Sequence, residues 1–170
     1  VVTGGGAKFF SAGADLKLFA DGDVAVAHEM ARLFGAAFEA LSDFRGVSIP
    51  AINGYAMGGG LEWALACDLR IAGQSARFVT AFANVGYSGD FGGSYFLSRL
   101  VGTGKARELY FLSEPLDAAQ ALALGVANRV VPDAELAGAT MALAQKLAHG
   151  PRIALALMKR NLNAAEDGSL

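Results

Sequence analysis

The chain has 170 residues, enough to bury a core of its own, and one domain spanning 1–170 is the natural expectation. Hydrophobic residues make up 54% of it, and 14 Lys+Arg against 16 Asp+Glu leave a formal net charge of −2. No basic stripe interleaved with aromatics appears, which argues against nucleic acid as a partner, and the short, interrupted apolar runs offer no membrane span. The chain opens on Val1-Val2-Thr3-Gly4, which reads as the end of a strand broken at Gly4-Gly5-Gly6. A polar turn, Ala20-Asp21-Gly22-Asp23, leads into a helix from about Val24 to Leu41, in which Met30, Leu33, Phe34, Ala37, Phe38 and Leu41 recur at steps of three and four. Val47–Ile52 reads as a buried strand, Gly58–Cys67 as a helix and Leu69–Ala72 as a short strand. After the loop from Val85 to Asp90 the pattern turns helical: Gly92–Leu100, Lys105–Leu112, Ala118–Leu124, Glu135–His149 and Arg152–Ala165. Asn128–Pro132 interrupts these as a strand that Pro132 ends. Strand–helix alternation giving way to helices predicts an α/β layered domain with a helical appendage.

Two glycine-rich segments each close a strand and open a helix, Phe9-Phe10-Ser11-Ala12-Gly13-Ala14-Asp15-Leu16-Lys17 and Asn53-Gly54-Tyr55-Ala56-Met57-Gly58-Gly59-Gly60-Leu61-Glu62. Backbone without side chains approaches a ligand closely and aims N–H groups at it. One such loop usually cradles phosphate, whereas two that converge hold one carbonyl oxygen between two donors. Neither nucleotide pattern fits. Gly4-Gly5-Gly6-Ala7-Lys8-Phe9 has Phe in place of the third glycine of a dinucleotide fingerprint, and Gly104-Lys105 is followed by Ala106 where a phosphate loop needs Ser or Thr. Glu62 adds a carboxylate to the first turn of its helix, where an acid is favourable even without chemistry.

The segment Ser11–Lys17 resembles the first oxyanion-hole signature of the crotonase (enoyl-CoA hydratase/isomerase) superfamily, and Ile49–Glu62, continuing to Ala66-Cys67-Asp68, resembles the second. The likeness runs on through Gly92-Gly93 and Arg99-Leu100-Val101-Gly102 to Ala121–Ala127, in the family's order. It implies a ClpP/crotonase-like fold, a layered β-sheet core with surrounding helices and a helical C-terminal region. It also implies further strands before Val1 and helices after Leu170. The implied substrate is an acyl-CoA thioester, with coenzyme A arriving as part of it and no separate cofactor or metal. A homo-oligomer, trimer or hexamer, is implied as well.

Residue by residue, the resemblance assigns the oxyanion hole to the N–H groups of Ala14 and Gly59, and catalysis to Glu62. Ala12, Asp15, Leu16, Gly58 and Phe82 are implied to line the coenzyme A and substrate site. Phe82 is a departure, standing where hydratases carry their second catalytic glutamate. Asp90 stands where typical hydratases have glycine and several isomerase-like and dehalogenase-like members an acid; as a residue directly before a helix it is equally a preferred N-cap. Isomerisation through an enolate is therefore favoured over hydration, and the alternative is a non-catalytic acyl-CoA-binding or scaffolding member that keeps the two amides. His28 and His149 lack metal-ligand spacing, Trp63, Tyr55 and Met57 read as core or pocket lining, and Asp68 reads as structural. Cys67, the only cysteine, excludes a disulfide within the chain; its apolar setting predicts burial, and a reducing, cytoplasmic location is expected.

Overall fold

A computed structural model describes residues 1–17, 23–89 and 92–168. Most of the expected polar turn at Ala20–Asp23, and Asp90, lie outside them.

The chain builds two sheets in step. Strands β1 (Val2–Thr3), β3 (Pro50–Ile52), β5 (Ile71–Gly73) and β8 (Arg129–Val131) form one four-stranded parallel sheet in that order. Strands β2 (Phe9–Ser11), β4 (Tyr55–Met57), β6 (Arg77–Val79) and β7 (Leu116–Asp117) form the other, with β7 alone antiparallel. Each strand of the first sheet up to β5 is followed within a few residues by a strand of the second. A helix then completes each unit: α1 (Val24–Ser42), α2 (Gly59–Leu65) and α3 (Gly93–Leu112). The first two such units keep β1, β3 and β5, and β2, β4 and β6, parallel, because the return to each next unit passes through a helix. Further α-helices among the described residues are α4 (Ala118–Ala123), α5 (Leu136–Ala148) and α6 (Arg152–Asp167).

The main core lies where α2 and α3 meet the sheets. Phe10, Ile52, Ala56, Leu61, Leu65, Phe78, Leu97, Leu109 and Val126 are buried there in one cluster. A second, smaller cluster of Ile49, Ala51, Ile71 and Leu136 seats α5 on the first sheet. The corner between β3 and β4 is tied back to the first loop by Asn53, which accepts from Gly4 N at 3.1 Å and donates to Gly6 O.

Several expectations shift. The strand expected at Val47–Ile52 is only Pro50–Ile52, because Ser48 N–H and Oγ–H are both given to the Asp68 carboxylate, at 2.7 and 2.8 Å, instead of to a ladder. The two expected helices around Gly102 form one run that breaks at that residue, where φ is 78° and ψ 157°. Helix α1 begins as expected, with the Asp23 carboxylate accepting from Ala25 N and Val26 N. Its apolar stripe is nevertheless only half covered, and Leu33 keeps 50% of its surface exposed. Trp63 and Tyr55, expected as core or pocket lining, are 38% and 37% exposed and so are not core residues.

Away from the glycine loops, Lys159 on α6 is buried and reaches the Asp68 carboxylate at 2.9 Å and the carbonyls of Gly46 and Leu41 at 3.4 and 3.5 Å. This one ammonium joins α6 to the ends of α1 and α2, the structural role expected of Asp68. Cys67 is buried beside it, and desolvation pushes its thiol up to about 11.

Candidate active site

The two glycine segments meet. Gly13 has φ +85°, a conformation that side chains resist, and a methyl group added there would lie 2.9 Å from Met57 O and 3.1 Å from Gly59 N. One added at Gly60 would lie 2.4 Å from Ser11 O and 2.6 Å from Ser11 Oγ. Glycine at both positions lets the first loop press its backbone onto the opening of α2. The Ser11 hydroxyl then accepts from Gly13 N at 3.3 Å, holding the loop in shape.

Gly59 is the first residue of α2, after Gly58 at φ 51°, so its N–H has no acceptor within the helix. Among the described residues neither it nor the N–H of Ala14 donates to the protein. Glu62 follows in the first turn with its N–H given to Gly58 O at 3.0 Å. Its side chain is 1% exposed. A buried carboxylate must be met by donors. One comes from α3: the Tyr110 hydroxyl donates to Glu62 Oε1 at 3.0 Å.

Gly93, the first residue of α3, makes the room for this pair. A methyl group there would fall 2.2 Å from Glu62 Oε1, 2.4 Å from Glu62 Cγ and 2.4 Å from the Tyr110 hydroxyl. Behind Tyr110 stands Phe82, its ring stacked at 6.1 Å between centroids and 13° between planes. Phe82 also lies over Gly58, where an added methyl would meet its ring at 3.5 Å. The chain reaches Phe82 through Ala81, whose φ of 62° is left-handed, a strained turn for alanine. Just before it, Thr80 Oγ1 donates to Leu109 O at 2.8 Å, fixing the end of β6 against the turn of α3 that carries Tyr110.

Of the residues singled out from sequence, Gly58, Gly59, Glu62 and Phe82 thus share one neighbourhood, against which the Gly13–Ala14 loop packs. Ala12, Asp15 and Leu16 lie on the exposed continuation of that loop, with the Asp15 carboxylate accepting from Lys17 N at 3.0 Å. Asp90 is outside the described residues. His28 and His149 are both exposed. Tyr110 and Gly93 join the site without having been assigned a part in it. A groove of about 1260 Å3 lies elsewhere, between the end of α1 and α5 and α6, and is lined by none of these groups. Among the described residues no cluster of His, Cys, Asp and Glu could hold a metal ion, and no helix is long and apolar enough to cross a membrane.

Stacked strand–strand–helix units that bring two glycine loops together beside a buried acid define an α/β crotonase fold. The chain belongs to the enoyl-CoA hydratase/isomerase family, whose profile it matches over residues 1–170. It is 36% identical over 163 residues to the short-chain-enoyl-CoA hydratase of Clostridium acetobutylicum, covering 96% of this chain and 62% of that protein. It is 37% identical over 167 residues to a carnitinyl-CoA dehydratase of Salmonella enteritidis, covering 98% and 64%. Among solved structures, Pseudomonas aeruginosa DspI superposes with a TM-score of 0.93 at 53% identity, over 97% of this chain and 63% of that one. A Bacillus anthracis enoyl-CoA hydratase gives 0.94 at 34% identity, over 98% and 65%. The chain therefore spans a little under two thirds of the length of these curated relatives.

Proposed function

We propose that this protein binds an acyl-coenzyme A thioester and takes a proton from the carbon beside the carbonyl, with Glu62 as the base. As the C–H bond breaks, the proton passes to Glu62, the electron pair forms a double bond to the carbonyl carbon, and the carbonyl π pair moves onto the thioester oxygen, which becomes an enolate oxygen. The N–H groups of Ala14 and Gly59 would hold that oxygen. Fixed donors aimed at developing charge are worth roughly 3 to 4 kcal/mol each in other enzymes, and a positioned base about a hundredfold or more in rate. The observation that carries this reading is the buried Glu62 carboxylate, three residues past an unsatisfied helix N–H that abuts a second glycine loop.

Within this chemistry we favour moving a double bond over adding water. Returning the proton to a different carbon of the enolate shifts the double bond and needs no activated water. Phe82 supplies no second carboxylate for such a water, and Asp90 is the acid we assign to the second carbon. The names of the relatives describe hydration and dehydration, so the products decide between the two. Coenzyme A enters with the substrate. A trimer or hexamer is part of the reading, supported by apolar residues left on α6, of which Ile153 is 81% and Leu162 67% exposed. So is a cytoplasmic location, which suits a lone buried thiol.

The test is deuterium uptake at the acyl α-carbon in heavy water, with the products formed from 2-enoyl and 3-enoyl thioesters separated by chromatography. Exchange and 3-to-2 isomerisation by the parent, both lost in Glu62→Gln, are the expected result. A parent that binds acyl-CoA without exchanging any proton is a binding protein, and the reading fails.

A further inference from the structure

Glu62 and Tyr110 are 48 residues apart in sequence, yet their side chains share a hydrogen bond, with Phe82 stacked on the phenol ring and Gly93 lying against both side chains. We propose that Tyr110 is a positioning residue for Glu62, its phenol holding the carboxylate in place as a proton acceptor while Phe82 fixes the phenol ring. This inference rests on the reading of Glu62 as the base and deepens it.

Four observations converge. The O–H of Tyr110 donates to Oε1, and a donor on a carboxylate favours the anion, the form a base requires. Phe82 lies parallel to the tyrosine ring, so the phenol is held along its face as well as at its tip. The Thr80–Leu109 bond ties the strand end preceding Phe82 to the helix turn bearing Tyr110, keeping the two rings in register. Gly93 leaves space that alanine would fill, 2.2 Å from the carboxylate oxygen and 2.4 Å from the phenol oxygen. Phe82 thus has a use of its own at the position where the resemblance puts a second glutamate: it supports the group that orients the first.

The charged groups on the described elements packed around Glu62 are these. β2 and β4, the strands packed on α2, carry no charged residue, and α2 itself holds only Glu62. On α3, Arg99 is bound to the Glu166 carbonyl of α6, Lys105 is paired with Glu108, and Arg107 is exposed. Asp90, outside the described residues, is the remaining acid of the loop before α3.

Tyr110→Phe keeps the ring and its stacking but removes the O–H. Steady-state deuterium exchange is measured across pH with butyryl-, hexanoyl- and octanoyl-CoA, using whichever the parent exchanges fastest. We expect kcat about tenfold lower with KM within about twofold, and the acidic limb of the pH profile moved up by about one pH unit, because the anion loses a donor. Phe82→Leu, which keeps the phenol but removes its stacking partner, is expected to move the same limb upward by less. It stands in for the first variant should that one misfold. Parent-like kcat together with an unmoved limb in the folded variant overturns the proposal, since a merely structural tyrosine would change stability and not the profile. Glu62→Gln separates this from the reading beneath it. If that variant still exchanges protons, the base was misassigned; if it is inactive while Tyr110→Phe matches the parent, only the role of Tyr110 is lost.

Discussion

Replacing Gly93 with alanine perturbs the site at its tightest point. The added carbon would stand 2.2 Å from Glu62 Oε1 and 2.4 Å from both Glu62 Cγ and the Tyr110 hydroxyl. Contacts of this kind are rarely shorter than 3.0 Å, so the carboxylate must retreat by roughly 1 Å. A shift of that size costs about a hundredfold in rate when the displaced group does the chemistry. Overpacking of a buried site costs about 1 to 3 kcal/mol, which for a domain of this size lowers the melting temperature by roughly 2 to 12 °C. Gly104→Ala on the same helix is the control, because a methyl group there meets nothing within 4 Å. It should match the parent in rate and equal or slightly exceed it in stability. The assay is deuterium exchange at the acyl α-carbon beside thermal unfolding of the three proteins. A folded Gly93→Ala variant with parent-like exchange would refute the reasoning, for it would mean that the geometry around Glu62 is irrelevant to turnover.

Helix α3 takes Gly92 as its N-cap, with no side-chain hydrogen bond, so the capping role expected of Asp90 falls to another residue. Asp90→Asn, which cannot act as an acid or base, is expected to fold and to isomerise about a hundredfold more slowly by product analysis, and near-parent turnover would remove Asp90 from the chemistry. Lys159→Met removes the ammonium shared by Asp68, Gly46 and Leu41, and should cost about 2 to 3 kcal/mol in urea unfolding, less than a fully buried pair because Ser48 still donates twice to Asp68. Its exchange activity at low temperature should be unchanged. Burial raises the Cys67 thiol from 9.0 to about 11, so the folded chain holds a proton that the unfolded chain releases first. The stability this contributes is complete below pH 9 and is lost as pH rises toward 11, by up to about 3 kcal/mol. Cys67→Ala should flatten that alkaline slope in urea titrations, and an unchanged slope would contradict the assignment.

What the sequence made legible follows from what local pattern can carry. Helix α1 was readable because its apolar period runs over many turns, but the period does not say how fully the stripe is covered, and α1 keeps it half exposed. Strands β4, β6 and β7 have three, three and two residues, too few for alternation to register against the neighbouring glycines. The glycine loops announced themselves through composition, and their mutual contact at Gly13 and Gly60 explains why those glycines are needed. Tyr110 left no comparable trace. It looks like one more residue of a long helix, and only the folding of α3 across α2 brings its hydroxyl to Glu62. Gly93 was visible as part of a glycine pair, but the space it keeps depends on side chains from two other positions.

The most direct test of the central claim is a crystal structure of the protein with a slowly reacting acyl-CoA thioester bound. The account predicts the thioester oxygen within about 3 Å of both Ala14 N and Gly59 N, and the Glu62 carboxylate within reach of the adjacent carbon. It also predicts that Asp90 approaches the acyl chain from the other side. A thioester oxygen bound away from these two amides, or amides that face separate cavities, would contradict the account.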